Sequence, residues 1–148
     1  MAEWRKTMGV TYVKEVISPE ELFERYPLPE AHKKLKAEKD KEIAKVFTGE
    51  SDKFLVIVGP CSADNEDAVC DYTSRLTKVQ EKVNDKIIII PRIYTNKPRT
   101  TGEGYKGIVH QPDPEKAPDL HEGLIAMRKM HLRSIAETHL FSADEMLY

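Results

Sequence analysis

Two regimes of hydrophobic patterning meet at Gly49. Before it, apolar residues are sparse and helically spaced. Ser18 reads as an N-cap with Pro19 at the first helical position. Glu21 completes a Ser-x-x-Glu capping box, and Ile17 and Leu22 are spaced to staple across it. The pattern predicts a short helix from about Pro19 to Tyr26, stopped by Pro27 and Pro29. A second helix is predicted over Glu30 to Thr48, with Leu35, Ile43, Val46 and Phe47 as a thin apolar stripe and Gly49 as its stop. Its lysines, interleaved with Glu38, Asp40 and Glu42, describe a solvated face rather than a nucleic-acid stripe.

After Gly49 the pattern shortens and intensifies. Phe54 to Val58 is an unbroken, largely β-branched run ending at Gly59-Pro60, the pattern of a strand buried on both faces. Asn65 to Val83 returns to helical spacing, with Ala68, Tyr72, Leu76, Val79 and Val83 as its expected inner face. Ile87 to Ile90 is a second β-branched run. A further helix is expected with Asp119 as cap and Glu122 three positions on, burying Leu120, Leu124, Met127 and Ile135. Leu140 to Ala143 opens a candidate third strand. Strand, helix, strand, long loop, helix and short strand is the alternation of an α/β fold with a parallel sheet.

Composition narrows the classes without changing this picture. The chain has 148 residues, 40% hydrophobic and 32% charged, and no apolar run near the ~20 residues that span a bilayer. A net charge of -2, from 23 basic and 25 acidic side chains, excludes a global basic field for nucleic acid. Cys61 and Cys70 are too few for a disulfide scaffold, and the first residues hold no apolar signal core, so the expected setting is cytoplasmic.

In parallel α/β folds ligands bind beyond the carboxyl ends of the strands. The stretch after the second strand carries Arg92, Lys97, Arg99 and Lys106, the hydroxyls of Thr100 and Thr101, and glycines at 102, 104 and 107. Guanidinium and ammonium groups pair with phosphate and carboxylate oxygens, and glycines admit close backbone approach, so a small, multiply anionic ligand is expected here. No Walker or dinucleotide fingerprint is present. Cys61, on the turn after the first strand, is either a small packing residue or a thiolate ligand or nucleophile. Cys70 falls inside a helix and reads as structural. The five histidines lack His-x-His or His-Glu-x-x-His spacing and suit surface or helix-packing roles. Glu145 is either an ordinary strand-end carboxylate or a water-orienting group.

Gly59-Pro60-Cys61-Ser62 after one strand and Lys97-Pro98-Arg99-Thr100-Thr101 after the next resemble class I 3-deoxy-D-arabino-heptulosonate 7-phosphate synthase, with Gly104-Tyr105-Lys106-Gly107 and Ala143-Asp144-Glu145 extending the likeness. Gly-Pro-Cys is shared with the related octulosonate synthase; Lys-Pro-Arg-Thr separates the two. The resemblance implies a (β/α)8 TIM barrel condensing phosphoenolpyruvate with erythrose 4-phosphate on a divalent metal of the manganese, iron, cobalt or zinc class, in a homo-oligomer. It also implies residue roles. Cys61 becomes a metal ligand. Arg92 and Lys97 hold phosphoenolpyruvate, with Lys97 also near the aldehyde. Pro98, Arg99 and Thr100 receive the erythrose 4-phosphate, and Glu145 faces phosphoenolpyruvate and the attacking water.

A (β/α)8 barrel takes eight strands and about 250 residues. The residues after Gly49 supply two strands and the edge of a third, so the expectation is an incomplete barrel. Residues 1–50 form a helical N-terminal extension and 51–148 the first two to three βα units of the barrel domain. The family's remaining metal ligands are absent, and the isolated chain is expected to lack turnover. The alternative is a non-catalytic fragment, an oligomerisation or binding module needing a partner chain. His139-Leu140-Phe141 stands where the family has Gly-Leu-Pro, which places a histidine where a helix end favours positive φ.

Overall fold

The computed structural model describes residues 14–97 and 104–144. Six elements follow in order: α1 (Pro19–Arg25), α2 (Glu30–Phe47), β1 (Phe54–Val58), α3 (Glu66–Val83), β2 (Ile87–Pro91) and α4 (Leu120–Thr138). β1 and β2 pair in parallel, from Phe54 opposite Ile87 to Val58 opposite Pro91. The chain returns beside β2 at Ala143, whose N–H donates to the Pro91 carbonyl (2.9 Å) and whose carbonyl accepts from the Ile93 N–H (2.8 Å). The described molecule is therefore α/β, with a third parallel segment starting on the far edge of β2.

The helix starts form for the local reasons the sequence supplies. Ser18 Oγ accepts from the Glu21 N–H (3.1 Å), Asn65 Oδ1 from Ala68 (2.9 Å) and Asp119 Oδ1 from Glu122 (3.2 Å). Ile17 and Leu22 are both buried, as a hydrophobic staple requires, and extend onto Ile125 of α4. Glu21 does not close the capping box; its carboxylate accepts from Arg25 instead. α2 buries no residue and is moored by Glu42, which accepts from Lys39 on its own helix (2.8 Å) and from Lys53 at the entrance to β1 (3.0 Å).

Three burial expectations are corrected. β1 is not covered on both faces: Phe54 is 73% and Ile57 58% exposed. Among the described residues, β2 is its only strand neighbour and no helix covers it fully. α3 buries Val69, Cys70 and Thr73, while Ala68 and Val79 face solvent. α4 buries Gly123, Ile125, Met130, Ser134, Ile135 and Thr138, while Leu120 is exposed. The cause is common to both helices. Thr73 and Ser134 meet across their interface, hydroxyl to hydroxyl at 3.3 Å, and small side chains let the helices approach along a seam that large-residue spacing does not reveal.

The main core consists of Ala63, Val69, Ile93, Ile108 and Met130. Ala63 and Ile93 of this core belong to the segments that follow β1 and β2, so the stretches carrying the charged residues are anchored in packed side chains.

Candidate functional site

The strand tips are pressed together at the backbone. A Cβ at Gly59 would lie 1.8 Å from the Arg92 carbonyl oxygen, so only glycine permits this approach. The Arg92 N–H donates to the Val58 carbonyl (2.8 Å), and the Ala63 N–H donates to the Tyr94 carbonyl (2.8 Å). These bonds bring the turn after β1 and the segment after β2 alongside each other.

Their side chains meet in consequence. Lys97 Nζ donates to Cys61 Sγ. Arg92 Nη1 donates to the Pro60 carbonyl (3.0 Å), and its guanidinium lies 4.2 Å from the centroid of the Tyr94 ring. The aromatic face and the carbonyl hold the planar fork at the tip beside Cys61, where Lys97 adds a second cation. Cys61 is exposed, so the packing reading of this thiol does not hold; Cys70 is buried, and burial pushes its thiol pKa up. Of the sequence-predicted site residues, Cys61, Arg92 and Lys97 are brought together. Pro98, Arg99, Thr100 and Glu145 lie outside the described residues.

The loop that carries Lys97 is held at both legs. The Lys97 N–H donates to the Lys106 carbonyl (2.8 Å) and the Val109 N–H to the Thr95 carbonyl (3.2 Å). Between these bonds Gly107 adopts φ +103°, with an added Cβ 2.2 Å from the Thr95 carbonyl oxygen. Asn96 Oδ1 meets His110 Nε2 at 2.9 Å, and the His110 carbonyl accepts from the N–H of Asp119, the cap of α4. Tyr105 donates its phenol to the Gln111 carbonyl (3.0 Å); burial, with the Asp64 charge adding to it, pushes its pKa up and keeps it a neutral donor.

Several of these groups escape a reading of the sequence. Tyr94, Asn96 and His110 show no spacing that marks them. Asp144 is visible only as a neighbour of Glu145, yet it accepts from both the N–H and the hydroxyl of Thr95. Arg133 collects Glu66, Asp67 and Glu137, and these carboxylates push its pKa further up; its role is to tie α4 to the start of α3.

A bound divalent metal calls for three or four convergent donors. Among the described residues no three His, Cys, Asp or Glu side chains gather in that way, and the Cys61 thiol is engaged by Lys97. The described residues do not by themselves fit a metal. No helix among them is long and apolar enough to cross a membrane.

Residues 29–144 match the family model described as the DAHP synthetase I family. The chain is 35% identical over 140 residues to the Phe-sensitive phospho-2-dehydro-3-deoxyheptonate aldolase of Escherichia coli K12, which covers 95% of this chain and 39% of that protein. It is 34% identical over 128 residues to the phospho-2-dehydro-3-deoxyheptonate aldolase of Amycolatopsis methanolica, covering 86% of this chain and 61% of that one. The solved structure of the corresponding aldolase from Francisella tularensis SCHU S4 superposes with a TM-score of 0.82 at 31% identity, over 93% of this chain and 40% of that chain. The chain thus spans between about two fifths and three fifths of the length of these relatives.

Proposed function

The chain belongs to the DAHP synthetase I family, and on that premise we propose that it is the opening part of a 3-deoxy-7-phosphoheptulonate synthase, the transferase of the first step of aromatic amino acid biosynthesis. In this reading β1 and β2 are the first two strands of a (β/α)8 barrel and Ala143 begins the third. The observation that carries it is the convergence of Lys97 and Arg92 beside Cys61 at the tips of adjacent parallel strands. Two cations at one mouth suit phosphoenolpyruvate, whose phosphate and carboxylate are both anionic.

The roles are those the family resemblance implies, and the convergence of Arg92 and Lys97 beside Cys61 supports the first two. Arg92, its fork fixed by Tyr94 and Pro60, pairs with phosphoenolpyruvate oxygens. Lys97 shares that anion and faces the aldehyde of erythrose 4-phosphate, where its ammonium offsets the negative charge that grows on the carbonyl oxygen as the enol carbon attacks. Water then adds to the carbon that bore the enol phosphate, and inorganic phosphate leaves. Pro98, Arg99 and Thr100 receive the phosphate of the second substrate, and Glu145 orients the water. Among the described residues no set of donors gathers for the divalent metal that the family resemblance implies.

Titration calorimetry of this chain with phosphoenolpyruvate tests the reading. Lys97→Gln and Arg92→Gln are each expected to weaken binding by about tenfold or more, the scale of one lost charge-assisted hydrogen bond. Wild-type affinity in both variants would refute it. With manganese and both substrates the chain alone is expected to form no product, and turnover at an appreciable rate would contradict that expectation.

One observation favours a second reading. Phe47, Phe54 and Ile57 are exposed on α2 and β1, as on a module that meets another chain. Light scattering separates the two: a well-behaved monomer counts against the module, and a specific oligomer favours it.

A further inference from the structure

We propose that Asp144 is a positioning residue that acts through Thr95 to hold Lys97 against Cys61. This rests on the reading of Lys97 as a substrate-binding cation and adds to it a device that holds that cation in place. Thr95 is 1% exposed, so its polar groups need partners within the protein. Asp144 supplies two at once: Oδ1 accepts from the Thr95 N–H (3.1 Å) and Oδ2 from its hydroxyl. The carboxylate comes from the segment that opens the third parallel strand, immediately after Ala143 has paired with Pro91 and Ile93. It is therefore anchored to the sheet by backbone bonds, and it grips the loop two residues before Lys97.

The rest of the environment supports a fixed carboxylate. His131 of α4 places Nε2 3.5 Å from Asp144 Oδ2, while its Nδ1 meets Ser142 Oγ at 2.9 Å. The imidazole thus touches both ends of a short bracket, Ser142 and Asp144, that flanks Ala143. On the far side of Thr95, the carbonyl is held by Val109 and the next residue, Asn96, by His110. Asp144 adds a side-chain tie to the backbone bonds that already hold this segment, Ala63 N–H to the Tyr94 carbonyl and Ile93 N–H to the Ala143 carbonyl; without the carboxylate those bonds remain, and the anchor two residues before Lys97 is lost.

Cys61 reports the register directly. A thiol reacts with an alkylating agent as the thiolate, and an adjacent ammonium raises its reactivity, so the Lys97 contact sets the rate. Iodoacetamide labelling of the full chain, with Cys61 and Cys70 followed separately by peptide mass spectrometry, tests the proposal, and the buried Cys70 serves as the internal reporter of unfolding. Asp144→Ala and Lys97→Gln are each expected to slow Cys61 labelling severalfold without exposing Cys70. The double variant is expected to be no slower than either single one, because both remove the same contact. Asp144→Asn, which keeps an acceptor for the Thr95 N–H, restores part of the rate. A Cys61 rate unchanged by Asp144→Ala overturns the proposal, as does an Asp144→Ala effect that adds in full to that of Lys97→Gln. Should Asp144→Ala expose Cys70, Thr95→Val, which removes only the hydroxyl, decides: slower Cys61 labelling supports the link and a wild-type rate overturns it. Phosphoenolpyruvate is absent from this assay, so a failure of the substrate reading shows in calorimetry alone and a failure of the positioning reading shows here alone.

Discussion

At the scale of single residues, backbone geometry decides more than side-chain chemistry does. Gly59 is legible in the sequence as a turn residue, but the reason for it is the Arg92 carbonyl 1.8 Å from where a Cβ would stand, a long-range fact that local pattern does not contain. His139 is the opposite case. Its place at a helix end, where the resembling family has glycine, marks it in the sequence as strained, and it indeed adopts φ 56°, ψ 13° while its N–H caps the Ile135 carbonyl (2.8 Å). A left-handed conformation costs a non-glycine residue roughly 1–2 kcal/mol. His139→Gly is therefore expected to raise stability by about 1 kcal/mol, part of the gain being offset by glycine's greater freedom in the unfolded chain. Urea denaturation measures it; an unchanged or lowered midpoint at constant slope contradicts the strain argument. The roles of Cys61 and Lys97 were open or implied only by resemblance in the sequence, whereas their contact is a tertiary fact.

At the scale of elements, caps and strand runs were readable because they depend on neighbours within a few residues. The buried seams were not, because they depend on which helix arrives from elsewhere. The edge of β2 illustrates the difference. Before Ala143 takes over, Gln80 of α3 closes that edge with its amide, accepting from the Ile89 N–H (2.6 Å) and donating to the Ile87 carbonyl (2.8 Å). One side chain stands in for a strand, and no helical periodicity signals it. Gln80→Leu leaves a buried donor without its partner and is expected to destabilise the chain by about 2 kcal/mol; a denaturation midpoint like that of the wild type would contradict this role.

The mooring of α2 makes a prediction in pH. The hydrogen bond from Lys39, with that from Lys53 and the charges of both lysines, outweighs burial and lowers the pKa of Glu42 below the usual glutamate range. A carboxylate with a depressed folded-state pKa contributes stability above its unfolded value, near about 4.3, and loses it as pH falls through the folded value. The stability difference between the wild type and Glu42→Gln is expected to be present at neutral pH and to vanish in acid below that folded value. Denaturation midpoints across this range check it, and a difference that persists undiminished in acid would assign the effect to something other than charge.

At the scale of the whole molecule, packing is uneven, and the unevenness has a direction. The core of Ala63, Val69, Ile93, Ile108 and Met130 takes in the segments that follow β1 and β2, while β1 leaves Phe54 and Ile57 in solvent. Strands of parallel sheets are ordinarily covered on both faces. The continuous apolar run of Phe54 to Val58 was readable as that type of strand, but its cover among the described residues was not, since a run of one strand says nothing of which elements are present to bury it. What is well packed is the platform that holds Cys61, Arg92 and Lys97. The central claim is that this platform gathers cations into one receiving site. The most direct test is a nitrogen-15 NMR titration of the chain with phosphoenolpyruvate. The account predicts saturable shifts concentrated in residues 59–63 and 91–97 and abolished by Lys97→Gln; shifts scattered over the lysine-rich face of α2, or none at all, would contradict it.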